Sequence, residues 1–199
     1  TKSSAASDVY KRQVSNSYYR LFNHGGPHVD APNHVGLGAG LDSYAVESFA
    51  GPLKVFDFSH LPIGRSITKE MLIELPIAAG DIVLTYTGFS LPESEDEWPQ
   101  AIALDYEAAT YLANLPVRAI GTDALNVESM TDQSPVPSDD EIARVIPGHQ
   151  AFLSRGIPVF EQLVNVDKLI GEKAMFFVGA PLNIKDGDGM MVRPLVLIY

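Results

Sequence analysis

The chain contains no cysteine, which excludes disulfide bonds and metal sites built on thiolates. It also has no apolar run approaching the ~20 residues that a membrane-spanning helix needs. Basic residues are few, with 14 Lys and Arg against 25 Asp and Glu, so the formal net charge is −11. Because nucleic acid is bound by basic surfaces, this balance argues against a nucleic-acid partner. We therefore expect no nucleic-acid and no membrane partner, and a cytoplasmic location.

The length of 199 residues fits one domain with a buried core. Residues 1–16 are polar and show no clear periodicity. A secretory signal would have a basic segment followed by an apolar one, and this pattern is not visible at the N-terminus. We expect a disordered leader over 1–16 and a single domain over 17–199.

Strand and helix patterns mix along this domain. Apolar, β-branched and aromatic segments predict strands at 53–60, 80–88, 117–123, 157–163, 174–184 and 191–199. Helical spacing predicts helices at 67–75, 104–115, 137–146 and 148–156. Pro147 should interrupt the last two, and the turn sequence KDGDG at 185–189 should join the last two strands. The mixture predicts a mixed α/β or α+β protein with a mixed sheet.

Three of the five histidines lie within eleven positions, in the segment HGGPHVDAPNH at 24–34. Its glycines and prolines disfavour a helix, and in an extended segment His28 and Asp30 can point the same way. Neutral imidazole and carboxylate are ligands for Zn, Mn, Fe, Ni or Cu. Solvated loop histidines and a turn aspartate are the plainer alternative, but three histidines and an aspartate at this spacing favour a metal centre.

The remaining ligands should come from elsewhere in the chain. Taken singly, His149 is typical of a helix end and Glu161 of a protein surface. However, Glu161 follows Phe160 in an apolar strand, where burying an unpaired carboxylate is costly. A cation would remove that cost, so His149 and Glu161 are candidates for the second half of the site.

The segment at 24–34 resembles the H-x-G-T-H-x-D-x-P-x-H signature of a metal-dependent hydrolase family, the cyclases, which includes kynurenine formamidases and isatin hydrolases. The resemblance continues through AGDIVLTYTGF, the helix and strand ending in GTD, GHQAFLSRGIPVFEQLVNVDKL, and the C-terminal FFVGAPLNIKDGDGMMVRPLVLIY. It implies that 17–199 is one metal-dependent hydrolase domain. The implied fold is the swivelling β/β/α cyclase-like fold, a mixed sheet flanked by helices, usually as a homodimer or homotetramer.

The resemblance also implies roles for particular residues. One or two divalent ions per subunit, Zn or Mn, would be bound by His24, His28, Asp30, His149 and Glu161. Asp30 would bridge the two ions, and His34 would act as general base or acid; the spacing equally allows His34 to be a direct ligand. Aromatic residues available to a small planar substrate include Tyr18, Tyr19 and Trp98, whereas Phe22 and Phe89 are more typical of packing.

The function implied is hydrolysis of a small amide C–N bond by metal-activated water, with N-formylkynurenine as first candidate. An isatin-like cyclic amide or lactone is an alternative. A different alternative is a degenerate metal-binding protein without catalysis, since Pro27 replaces the family's usual threonine and removes its N–H and hydroxyl.

Overall fold

A computed structural model describes residues 17–91, 101–129 and 146–199. The predicted leader at 1–16, nearly all of the predicted helix at 137–146, and Trp98 lie outside these residues. No helix in the described part is both long enough and apolar enough to cross a membrane.

Strands dominate the described residues. They are numbered β1–β10 in chain order: His28–Asp30, Ala50–Asp57, Ser66–Ile67, Ile82–Tyr86, Ala103–Leu104, Ala119–Thr122, Val159–Glu161, Met175–Val178, Gly189–Met191 and Leu195–Ile198. The α-helices are α1 (Lys69–Ile73), α2 (Tyr106–Ala113) and α3 (Pro147–Leu153). Short 3₁₀ turns lie at Pro32–Val35, Leu41–Ser43, Val46–Phe49 and Val166–Leu169.

Eight of the strands form one sheet, in the order β10-β8-β2-β4-β6-β7-β1-β9. The central strands β2, β4, β6 and β7 are parallel, and the outer pairings are antiparallel. The remaining strands β3 and β5 form a small parallel pair. Each crossover between the parallel strands contains one of the three described helices, and these helices pack against the sheet, so the predicted mixed α/β fold is confirmed.

Alternation along the central strands divides the apolar residues between two cores. Val83, Ile120 and Val159 lie in one core together with residues of α1, α2 and α3. Their chain neighbours, such as Leu84 and Phe160, lie in a second core on the opposite face with β8. Side chains on the first face of the sheet therefore point towards the helices, α3 among them.

Pro147 stands at the first position of α3, where no N–H donor is needed, so it separates α3 from the segment before it. Nearly all of the predicted helix at 137–146 lies outside the described residues. One local prediction differs from the structure. The segment 185–189 does not link a hairpin, since it leads into β9, which pairs with β1 at the far side of the sheet. The last strand, β10, does pair antiparallel with β8, but only after this excursion.

Candidate metal centre

Pairing between β1 and β7 brings the two predicted halves of the site together. In the antiparallel register His28 lies opposite Glu161, and Asp30 lies opposite Val159. Helix α3 packs on this face and begins at Pro147, which places His149 in its first turn. The histidine segment and the late His149 and Glu161 therefore meet beside the end of β7.

Asp30 occupies the middle of this cluster and is fully buried. Its Oδ1 lies 2.8 Å from His24 Nδ1 and 3.3 Å from His28 Nε2, and its Oδ2 lies 3.4 Å from His149 Nε2. Even so, neither carboxylate oxygen has a partner in hydrogen-bond geometry. Buried polar atoms are rarely left in this state, and a cation shared between the oxygens and the imidazole nitrogens would satisfy them.

Two of the imidazoles have acceptors for the nitrogen that faces away from Asp30. His28 Nδ1 donates to the carbonyl of Gly26 over 2.8 Å. His149 Nδ1 lies 2.6 Å from Glu128 Oε1, and the other Glu128 oxygen accepts from the backbone N–H of His149 at 3.2 Å. Such acceptors hold a proton on the outer nitrogen and fix the ring, so that the neutral imidazole presents its other nitrogen to Asp30, which is the arrangement that metal-binding histidines use.

His24 follows the same pattern with its nitrogens exchanged. Its Nδ1 faces Asp30, and its Nε2 lies 3.1 Å from Asp188 Oδ2. Each of the three imidazoles therefore presents one nitrogen to Asp30 and has an acceptor on the other.

Glu161 completes the buried cluster. Its Oε1 lies 3.2 Å from His149 Nε2 and accepts a 2.6 Å hydrogen bond from the N–H of Val127. Its Oε2 lies 3.7 Å from His28 Nε2. The described residues thus bring together His24, His28, Asp30, His149 and Glu161, although their roles as ligands stay a prediction.

The two carboxylates differ in their proton affinity. Burial alone would raise the pKa of Asp30, but the imidazoles of His149, His24 and His28 overcome it and hold that pKa well below its usual value. Burial raises the pKa of Glu161, and the charge of Asp30 adds to the rise against the opposing effect of His149. Two buried carboxylates in one cluster call for compensating positive charge.

His34 lies on the 3₁₀ turn Pro32–Val35, at the edge of the cluster. Its ring centroid is 4.3 Å from that of His24 and 5.6 Å from that of His149. Burial lowers the pKa of His34 to about 4, although the charge of Asp30 opposes the shift. A neutral imidazole here can accept a proton. Its position also leaves the ligand role open, because His34, Asp30 and His149 could together hold an ion.

The predicted aromatic residues do not all lie beside the cluster. Tyr18 is fully exposed and Tyr19 is 81% exposed, and Trp98 lies outside the described residues, so their substrate-binding role stays a prediction. Phe22, interpreted from the sequence as a packing residue, is 71% exposed, and its ring lies 5.9 Å from that of His24. It is therefore placed to contact a ligand at the cluster.

Sequence reasoning missed two residues of the site, Glu128 and Asp188. Glu128 lies in NVES, after the strand that ends at Thr122, and Asp188 lies in KDGDG, interpreted as a turn. The available signal was chemical: an imidazole that binds a metal needs an acceptor for its second nitrogen. That requirement calls for further acceptors without giving their positions.

We expect Glu128→Gln to weaken metal binding by about 10- to 100-fold, because an amide cannot accept from His149 Nδ1 and from the helix N–H groups at once. One buried donor would be left unsatisfied, so the free energy of unfolding should also fall by roughly 1–3 kcal/mol. Chelator competition and thermal unfolding measure the two effects. The matched control is Glu172→Gln, at an exposed glutamate outside the cluster. Unchanged affinity in Glu128→Gln would show that Glu128 does not orient His149.

Comparison with known proteins finds a family model and sequence relatives that match this chain. The family model described as "Putative cyclase" matches residues 3–129. A kynurenine formamidase of Salinibacter ruber is 33% identical over 179 residues, which is 89% of this chain and 77% of that protein.

Solved structures agree with that assignment. A potential metal-dependent hydrolase with cyclase activity is 28% identical, with a TM-score of 0.65, over 89% of this chain and 80% of the other. Isatin hydrolase A from Ralstonia solanacearum has a TM-score of 0.73 over 89% of this chain and 73% of its own. Its identity of 24% supports a shared fold alone.

Proposed function

This chain belongs to the cyclase family, and from that premise we propose that it is a metal-dependent hydrolase of the C–N bond of a small amide, with N-formylkynurenine as the first candidate substrate. The observation that carries the proposal is the state of Asp30. Both of its buried oxygens lack a hydrogen bond while three imidazoles, each with an acceptor on its other nitrogen, lie within 3.4 Å.

The donor set fits one or two divalent ions. Nitrogen and carboxylate oxygen without sulfur suit Zn or Mn. The proposed ligands are His24, His28, Asp30, His149 and Glu161. When bound, a divalent ion supplies Lewis acidity, which makes water nucleophilic near neutral pH and polarises a carbonyl.

The residues of the chain supply the remaining chemistry. In the proposed reaction, His34 accepts the proton of the attacking water and delivers it to the leaving nitrogen, so that the acyl group gains OH and the amine gains H. Its neutral imidazole suits the first of these transfers. Asp30 and the three imidazoles stay fixed during both transfers because their positions are set by β1, α3 and the acceptors on the outer nitrogens. Phe22 is placed to contact an aromatic substrate at the exposed side of the cluster.

The proposal is tested with the full chain, stripped of metal and reloaded separately with Zn²⁺ and Mn²⁺. We expect release of formate from N-formylkynurenine in at least one reloaded sample and none in the stripped sample. Opening of isatin in place of formate release would indicate a cyclic amide as the substrate. Metal binding without turnover of either compound would favour the non-catalytic alternative.

The expected homodimer or homotetramer stays a prediction. Light scattering on the same samples measures the molar mass in solution and so tests it.

A further inference from the structure

The turn 185–189 lies against the histidine segment although more than 150 positions separate them in sequence. The N–H of Ala31 donates to the carbonyl of Asp188 over 2.8 Å, and Asn23 Nδ2 donates to Asp188 Oδ1 over 2.7 Å. The N–H of Leu41 donates to the carbonyl of Gly187 over 2.9 Å. The turn is thus joined to both sides of β1.

Contact with His24 is especially close at Gly189. A Cβ at this position would lie 2.6 Å from His24 Cε1 and 3.0 Å from its Nε2. The backbone at the start of β9 therefore forms a wall against the His24 ring, and a residue with a side chain would displace it.

Among the three imidazoles around Asp30, His24 has the least support from its own backbone. His28 lies in β1 and His149 in α3, and both are at most 2% exposed. His24 precedes β1 in a turn, and its side chain is 13% exposed. Its ring orientation must come from contacts elsewhere in the chain.

We propose that Asp188 is a positioning residue of the metal centre, which holds His24 through Nε2 so that Nδ1 faces Asp30. The geometry is direct: Asp188 Oδ2 lies 3.1 Å from Nε2, and Asp30 Oδ1 lies 2.8 Å from Nδ1. The remaining Asp188 oxygen is held by Asn23, which fixes the carboxylate itself. Because Asp188 is 47% exposed, its effect is directional more than electrostatic. This inference rests on the proposed metal site and is independent of the substrate.

The test compares Asp188→Asn with Asp186→Asn in the full chain. The two variants make the same chemical change two positions apart in one turn, and asparagine tolerates the positive φ of 55° at residue 186. Asparagine at 188 has one acceptor oxygen for two donors, so the contact with His24 or with Asn23 is lost. Zn²⁺ affinity is measured by chelator competition, coordination geometry by the visible spectrum of the Co²⁺ form, and folding by thermal unfolding.

We expect Asp188→Asn to lower Zn²⁺ affinity by about 10- to 100-fold, to alter the Co²⁺ spectrum and to leave the number of bound ions unchanged. Asp186→Asn should match the wild type. Wild-type affinity in Asp188→Asn would overturn the positioning role and leave the metal centre intact. Loss of one ion at unchanged affinity for the rest would also overturn it, since Asp188 would then be a ligand of an outer ion with His24 and His34. A wild-type chain that binds neither Zn²⁺ nor Co²⁺ would overturn the proposed metal centre itself.

Discussion

Asp30→Ala is expected to lose metal binding and turnover together. Asp30 is fully buried and faces three imidazole nitrogens within 3.4 Å. An ion held by any of these imidazoles would therefore lie beside Asp30. Loss of a residue that only orients a ligand costs about 10- to 100-fold in affinity, and loss of Asp30, the proposed central ligand, should exceed that range. Plasma emission of the dialysed protein measures the bound metal, and formate release measures turnover.

Folding must be separated from metal loss in this variant, because alanine leaves three imidazoles around a small void. Asp30→Asn keeps the shape of the side chain and serves as the second variant, with thermal unfolding as the measure of folding. The matched control is Asp167→Asn, at an exposed aspartate outside the cluster. A folded Asp30→Asn or Asp30→Ala protein with its full complement of tightly bound metal would contradict the central role of Asp30.

His34→Ala is expected to keep its metal and lose most of its turnover. The His34 ring lies at the edge of the cluster, 4.3 Å from the ring of His24, and its imidazole is neutral at neutral pH. Removing a general base or acid lowers the rate by about 10²- to 10⁴-fold, and we expect kcat to fall within that range. Steady-state kinetics and plasma emission on the same preparation test both halves of this expectation.

The control for this variant is His60→Ala, because His60 is the one histidine of the five that lies outside the cluster, and it is exposed. It should match the wild type in metal content and in turnover. If His34→Ala is purified without metal, His34 is a ligand and the assignment of proton transfer to it is wrong.

Much of the candidate site could be predicted from the sequence because its ligand types are compressed into one short segment. The spacing of His28 and Asp30 predicts side chains on one face, and in β1 the two side chains do lie 3.3 Å apart while Val29 packs in the opposite core. The apolar neighbours of Glu161 indicated a buried carboxylate, and Glu161 is 3% exposed. Residue spacing can be read directly from a sequence, and apolar neighbours indicate which residues are buried.

Other parts depend on contacts that no local pattern specifies. KDGDG has the composition of a hairpin turn, yet the strand that follows it, β9, pairs with β1 at the far edge of the sheet. Asp188 becomes an acceptor for His24 only through that pairing. Glu128 likewise meets His149 only when α3 packs against β7. Both acceptors could be anticipated as a chemical need, but their positions are set by tertiary structure.

In the proposed metal centre, two distant parts of the chain bind the same cation. Anomalous diffraction from crystals of the Zn²⁺-loaded protein can locate that cation. We expect a zinc peak within bonding distance of Asp30 and of at least one of His149 and Glu161. A peak bound only by residues 24–34, with His149 and Glu161 turned away from it, would show that the two parts do not share a cation.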